Sequence, residues 1–161
     1  MREGGERSGR RDIAGRTGLL YGLLFGGVFI ARDVIESYPG GSAAGTDSLF
    51  ALLAVLAVLC GPLAAGWRAA RASGEVGHGV YAGFLTGGIG ALLWSVQLVA
   101  LPAFAPLAAS QFLGLGSLQG SALCSIPLFA GIGACDGLVG GWIGAVGFRQ
   151  AREAEKAARR S

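Results

Sequence analysis

Asp136 is the first formally charged side chain after Glu75, and the 60 residues between them contain no Asp, Glu, Lys or Arg. An ionised carboxylate in the middle of an apolar segment costs roughly 3 kcal/mol on membrane-insertion scales. Asp136 therefore needs either a hydrogen-bonding partner or a proton. Ser95 and Gln97 in the preceding apolar segment supply the polar groups for such a bond, so Asp136, Ser95 and Gln97 are the intramembrane polar candidates. Two chemistries suit an acid in this setting: exchange of a proton or ion along a pathway, or a fixed polar clamp between helices or subunits.

No other residues group into a reactive constellation. Arg32, Asp33 and Glu36 have the spacing of a solvated helix end, with Arg32 and Glu36 one turn apart. His78 stands alone and supplies no metal cluster. Cys60, Cys124 and Cys135 are odd in number and read as small hydrophobes, without disulfide or metal-ligand spacing. Serine, cysteine and histidine are not arranged as nucleophile and base, and the glycine-rich stretches are embedded in apolar sequence, which is unsuited to phosphate binding. The sequence thus predicts no catalytic residue, no metal site, no cofactor and no enzymatic activity.

The elements that would position Asp136 are membrane spans. Hydrophobic residues make up 52% of the chain and charged residues 14%. A charge-free run three times the roughly 20 residues needed to cross a bilayer belongs in lipid, because a chain this short has no second layer of protein to cover it. The net charge of +3 does not indicate nucleic acid, since the basic residues are confined to the two ends and one short loop between apolar runs.

Four spans are predicted, at about 17–38, 49–67, 79–101 and 126–148, as an all-α four-helix bundle. The first apolar run, Thr17 to Ala31, covers about 22 Å at 1.5 Å per residue and must continue towards Tyr38 to cross a core of about 30 Å. Pro39, Gly40, Gly41 and Ser42 break it, and Thr46, Asp47 and Ser48 offer cap chemistry for the second span. Arg68, Arg71, Glu75 and His78 form a short polar connection around the turn pair Ser73-Gly74. The third span stops at Pro102, and the apolar segment 102–125 either lies at the outer interface as a short helix or re-enters the protein. Trp67, Trp142, Tyr81 and Tyr38 read as interface anchors.

The chain also looks internally duplicated. Gly18, Gly22 and Gly26 in the first span match Gly79, Gly83 and Gly87 in the third, at a constant offset of 61 residues. Cys60, Leu63, Gly66 and Trp67 match Cys135, Leu138, Gly141 and Trp142 at an offset of 75. Both members of each pair would cross in the same direction, giving two parallel helical hairpins. Glycine at every fourth position leaves a smooth stripe for close helix contact, which assigns a packing role to Gly18, Gly22, Gly26, Gly79, Gly83, Gly87, Gly133, Gly137 and Gly141. The stretch from Gly61 to Trp67, the basic turn, and Gly79 to Gly87 together resemble small glycine-rich multi-pass prokaryotic membrane proteins of unknown function. That resemblance covers about 30 residues, implies a multi-pass fold and carries no activity or site residue with it.

The expected role is a packing or accessory subunit of the cell membrane, with the bilayer and either a homo-oligomer or a larger membrane complex as partners. The alternative is a minimal transporter or channel that acts as an oligomer with Asp136 in its pathway. Orientation follows from charge. Five basic residues precede the first span (1–16), two lie in the middle loop and five in the tail 149–161, against Arg32 alone on the other side. Positive residues near span ends resist translocation, so both termini and the middle loop belong in the cytoplasm. Arg10-Arg11 reads as part of this bias rather than as an export signal, because Arg32 and Asp33 follow the apolar run where a cleavage site would need small residues. Reporters fused after Ser161 and within 68–77 should both give cytoplasmic signals. A periplasmic signal from the C-terminal fusion would require an odd number of spans.

Overall fold

The computed structural model describes residues 3–36, 44–104 and 116–159, and these are all-helical. Four helices follow one another: α1 (Glu3–Glu36), α2 (Ala44–Ser73), α3 (Val76–Phe104) and α4 (Gly116–Ala158). Among the described residues, three helical windows are long and apolar enough to cross a membrane: Asp12–Arg32 in α1, Val76–Gln97 in α3 and Ser125–Ala158 in α4. In α2, residues 49–67 carry no charge.

The helices outrun the expected spans for identifiable reasons. α1 starts at Glu3, so the basic segment before the first span is itself helical, as its Arg and Glu content permits. α2 starts at Ala44, which places Thr46, Asp47 and Ser48 inside its first turns instead of at a cap ahead of Leu49. At its other end α2 passes through Arg68 and Arg71, so the expected polar loop shrinks to Gly74 and Glu75. α3 continues through Pro102 to Phe104.

The largest difference lies in 102–125. α4 begins at Gly116, ten residues before the expected start, and holds Pro127 within it. Each glycine in a helix costs about 1 kcal/mol relative to alanine, a cost that the backbone hydrogen bonds of a continuous helix offset where water is excluded. Residues 105–115, together with the break at Pro39 to Ser42 and the anchor Tyr38, lie outside the described residues.

The turn between α2 and α3 is specified locally. Gly74 takes φ +76°, a left-handed conformation that favours glycine, and its N–H donates to the Ala70 carbonyl at 2.7 Å. The Ser73 hydroxyl donates to Ala69 O at 2.9 Å and accepts from the Glu75 N–H at 3.2 Å. So short a link makes α2 and α3 an antiparallel hairpin. The ring of Phe148 from α4 covers Gly74, and a methyl group there would come within 2.7 Å of it.

α3 packs against all three other helices, and α4 packs against α2 and α3. α3 and α4 are antiparallel and meet glycine to glycine. A methyl group on Gly79 would lie 2.6 Å from the Gly141 Cα, one on Gly83 2.6 Å from the Gly137 Cα, and one on Gly87 would strike the Phe129 carbonyl. The α2–α4 pair is parallel: Gly66 abuts Gly137, Gly140 abuts Leu63 and Trp67, and Gly144 abuts Trp67 and Arg71. α1 and α3 are also parallel, with Gly18, Gly22 and Gly26 receiving Leu85, Ile89 and Leu93. Where α1, α2 and α3 converge, the core is made of Ala14, Ala65, Ala69 and Ala82, with Tyr21 packed against it.

These contacts predict opposite results for two glycines. Gly83→Ala should lower stability in detergent by about 1 to 3 kcal/mol, since α3 and α4 must separate to admit the methyl group. Gly131, with nothing within 4 Å of a Cβ, should accept alanine with unchanged or slightly higher stability. Thermal unfolding of both variants checks this, and equal effects would contradict the packing.

Candidate functional site

Asp136 lies one turn before Gly140 on α4, on the side that approaches α2. It is partly buried, and its Oδ2 is shielded from solvent with no hydrogen-bond partner among the described residues. A buried carboxyl oxygen without a partner is the arrangement that a polar clamp or a titrating site would have before its second component arrives. Gly61 stands 75 residues before Asp136, at the offset that relates Cys60 to Cys135. Its nearest contact is the Thr86 methyl group, 3.9 Å from where a Cβ would stand.

Ser95 and Gln97 are buried, but the structure does not bring them to Asp136. The glycine contacts set Asp136 level with Gly83 and Phe84 on α3, and Ser95 and Gln97 lie about 16 to 20 Å further along the axis at 1.5 Å per residue. Ser95 Oγ donates within its own helix, to Ala91 O at 2.8 Å. Extending the same register brings Ser95 level with Ser125, also buried, near the opposite end of the α3–α4 contact from the Gly74 turn. The polar candidates thus occupy two separate levels.

Two features escaped sequence reasoning. Thr86 is among the largest fully buried side chains; its hydroxyl donates to Ala82 O at 2.8 Å and sits 3.3 Å from Gly18 O on α1. One proton is shared between a carbonyl of its own helix and one of the neighbouring helix, tying α1 to α3 beside the alanine core. The available signal is its position on the face of Ala82 and Gly90, four residues from each. The second feature is a ring cluster joining α1, α3 and α4. Phe25 and Phe29 are 5.1 Å apart between centroids, Phe25 and Phe129 6.3 Å, Phe29 and Trp94 6.0 Å, and Trp94 and Phe129 6.4 Å. Gly90 provides the space for Phe25, which is buried against it.

The remaining candidates are peripheral. Trp142 and Tyr81 are exposed, as are Cys60 and Cys135. His78 Nδ1 lies 3.2 Å from Glu75 Oε2 at the turn. On the extension of α4, Arg159 pairs with Glu155 at 2.6 Å, and the Arg152 guanidinium lies over the Phe148 ring at 5.1 Å. Among the described residues no three His, Cys, Asp or Glu side chains form a group able to hold a metal ion. The chain matches no family model, no curated protein and no solved structure.

Thr86→Val keeps the volume and removes the donor. It should cost about 1 kcal/mol or less, the usual range for an interhelical hydrogen bond in a membrane protein. A guanidinium or SDS unfolding titration would measure it. A loss several times larger would mean that the hydroxyl has a further role.

Proposed function

We propose that this chain is a non-enzymatic, multi-pass protein of the cell membrane that acts as a packing or accessory subunit. In this reading it forms a four-helix bundle of two diverged hairpins, with both termini cytoplasmic. The charge-free sequence of 49–67 supports α2 as the fourth span, and the placement of Lys and Arg supports the orientation. The common direction of α1 with α3, and of α2 with α4, supports the duplication. Divergence accounts for the different partners of the two glycine ladders, leucine and isoleucine side chains for α1 and glycine backbone for α3.

The observation that carries the subunit role is Asp136. Its unsatisfied oxygen is on the α2 side of α4 at mid-span, where a donor from a neighbouring chain would complete it. Near its level the helices expose Leu59, Leu63, Leu138 and Val139, which suits lipid or another transmembrane helix.

The same residue supports transport as a second reading. A pathway between α3 and α4 of one chain is closed by the glycine backbone contact, so flux would have to pass between copies of the chain with Asp136 facing it.

Asn preserves the hydrogen-bonding shape of Asp136 and cannot ionise. For a packing subunit, Asp136→Asn should keep thermal stability and the set of proteins that co-purify in mild detergent, while Asp136→Leu should reduce both. Loss of proton- or ion-dependent flux in liposomes by Asp136→Asn, with assembly intact, would instead establish transport. Wild-type behaviour of Asp136→Leu in both assays would exclude both roles for this residue.

A further inference from the structure

A cavity of about 430 Å³ opens between α1 and α2 near the Gly74 turn, lined by Tyr21, Trp67, Arg68, Arg71 and Ala72. It combines two cations with two amphipathic rings. Tyr21 is held by packing against the buried alanine cluster. The Arg71 guanidinium lies over the Trp67 ring at 5.2 Å from the centroid, which limits its freedom before any ligand arrives. Among the described residues no carboxylate pairs with Arg68 or Arg71, and the nearest acid in sequence, Glu75, is directed to His78.

We propose that this cavity binds the phosphate group of an anionic phospholipid, a site that rests on the membrane reading given above. Two guanidinium groups that pair with no carboxylate among the described residues supply planar donors suited to phosphate oxygens. Trp67 ends the charge-free part of α2, so both arginines lie at headgroup depth, on the face assigned to the cytoplasm. One turn deeper, Leu24 and Leu63 are exposed at i+3 from Tyr21 and i−4 from Trp67, and these faces would receive an acyl chain. That apolar continuation favours a lipid over a soluble phosphate.

The test is titration of the full-length protein in mild detergent with dioleoylphosphatidylglycerol or dioleoylphosphatidylcholine, read by native mass spectrometry. The anionic lipid should bind at lower concentration than the zwitterionic one. The double substitution Arg68→Gln/Arg71→Gln should weaken that binding roughly 30-fold, from about a fivefold contribution per arginine near an anionic surface. Arg149→Gln/Arg152→Gln, which removes the same charge from the α4 extension, should change it less than about threefold. Equal losses in the two double variants, or no loss in the first, would overturn the site. Competition by sn-glycerol 3-phosphate at concentrations matching the lipid would assign the site to a soluble anion and overturn the lipid assignment. If the wild-type protein fails to insert into phosphatidylglycerol liposomes, the membrane reading falls together with the site; insertion without lipid preference removes the site alone.

Discussion

Backbone contact between α3 and α4 is the constraint on which the other packing depends. Gly79, Gly83 and Gly87 face Gly141, Gly137 and Gly133 so closely that a single methyl group at any of them would meet main-chain atoms. Main chain cannot rotate away as a side chain can, so the separation of these helices is fixed by the lack of Cβ atoms. In lipid this matters more than in water. Apolar side chains gain little by leaving hydrocarbon for protein, and helices associate through close van der Waals approach and hydrogen bonds.

The rest of the arrangement follows from that pair. The antiparallel register of α3 and α4 presents Gly137 to Gly66, and Gly140 and Gly144 to the backbone of α2 around Leu63, Trp67 and Arg71. The two-residue link at Gly74 and Glu75 requires α2 to return antiparallel to α3, a direction compatible with its contacts on α4. α1 joins by a different means, as leucine and isoleucine side chains of α3 fill its glycine stripe and Thr86 shares its proton with Gly18 O. The Phe25, Phe29, Trp94 and Phe129 cluster gives α1 its ring contact with α4. Tight packing of this kind leaves Asp136 at the margin of the α2–α4 contact and the arginine-lined cavity at the margin of α1 and α2.

Four helices were legible from apolar runs separated by turn residues, because the bilayer's thickness and the lack of water act on each segment separately. The limits of those helices were less legible. The segment 102–125 read as interfacial or re-entrant, yet Gly116 to Ser125 belongs to α4, because an apolar run without a charge does not show where the next helix begins. Spacing showed that Gly18, Gly22 and Gly26 form a smooth stripe, but not that side chains of α3 would fill it while glycine backbone would fill the corresponding stripe of α3. Pairing depends on every helix at once, and a repeat in sequence does not state it. For the same reason Ser95 and Gln97 were matched to Asp136 by polarity, and only the register of α3 on α4 separates them by several turns. The spacing of Thr86 from Ala82 and Gly90 places it on a helix face, but neither its bond to α1 nor the phenylalanine cluster could be read from spacing, since both are contacts between distant parts of the chain.

Solid-state NMR of the protein labelled with ¹³C at glycine Cα and reconstituted in bilayers tests the α3–α4 contact most directly. Cα–Cα cross-peaks at short mixing times should connect Gly79 with Gly141 and Gly83 with Gly137, and they should persist when labelled protein is diluted into unlabelled protein, because the contacts lie within one chain. Absence of these cross-peaks, or their loss on dilution, would contradict the backbone contact between α3 and α4 as the basis of the fold.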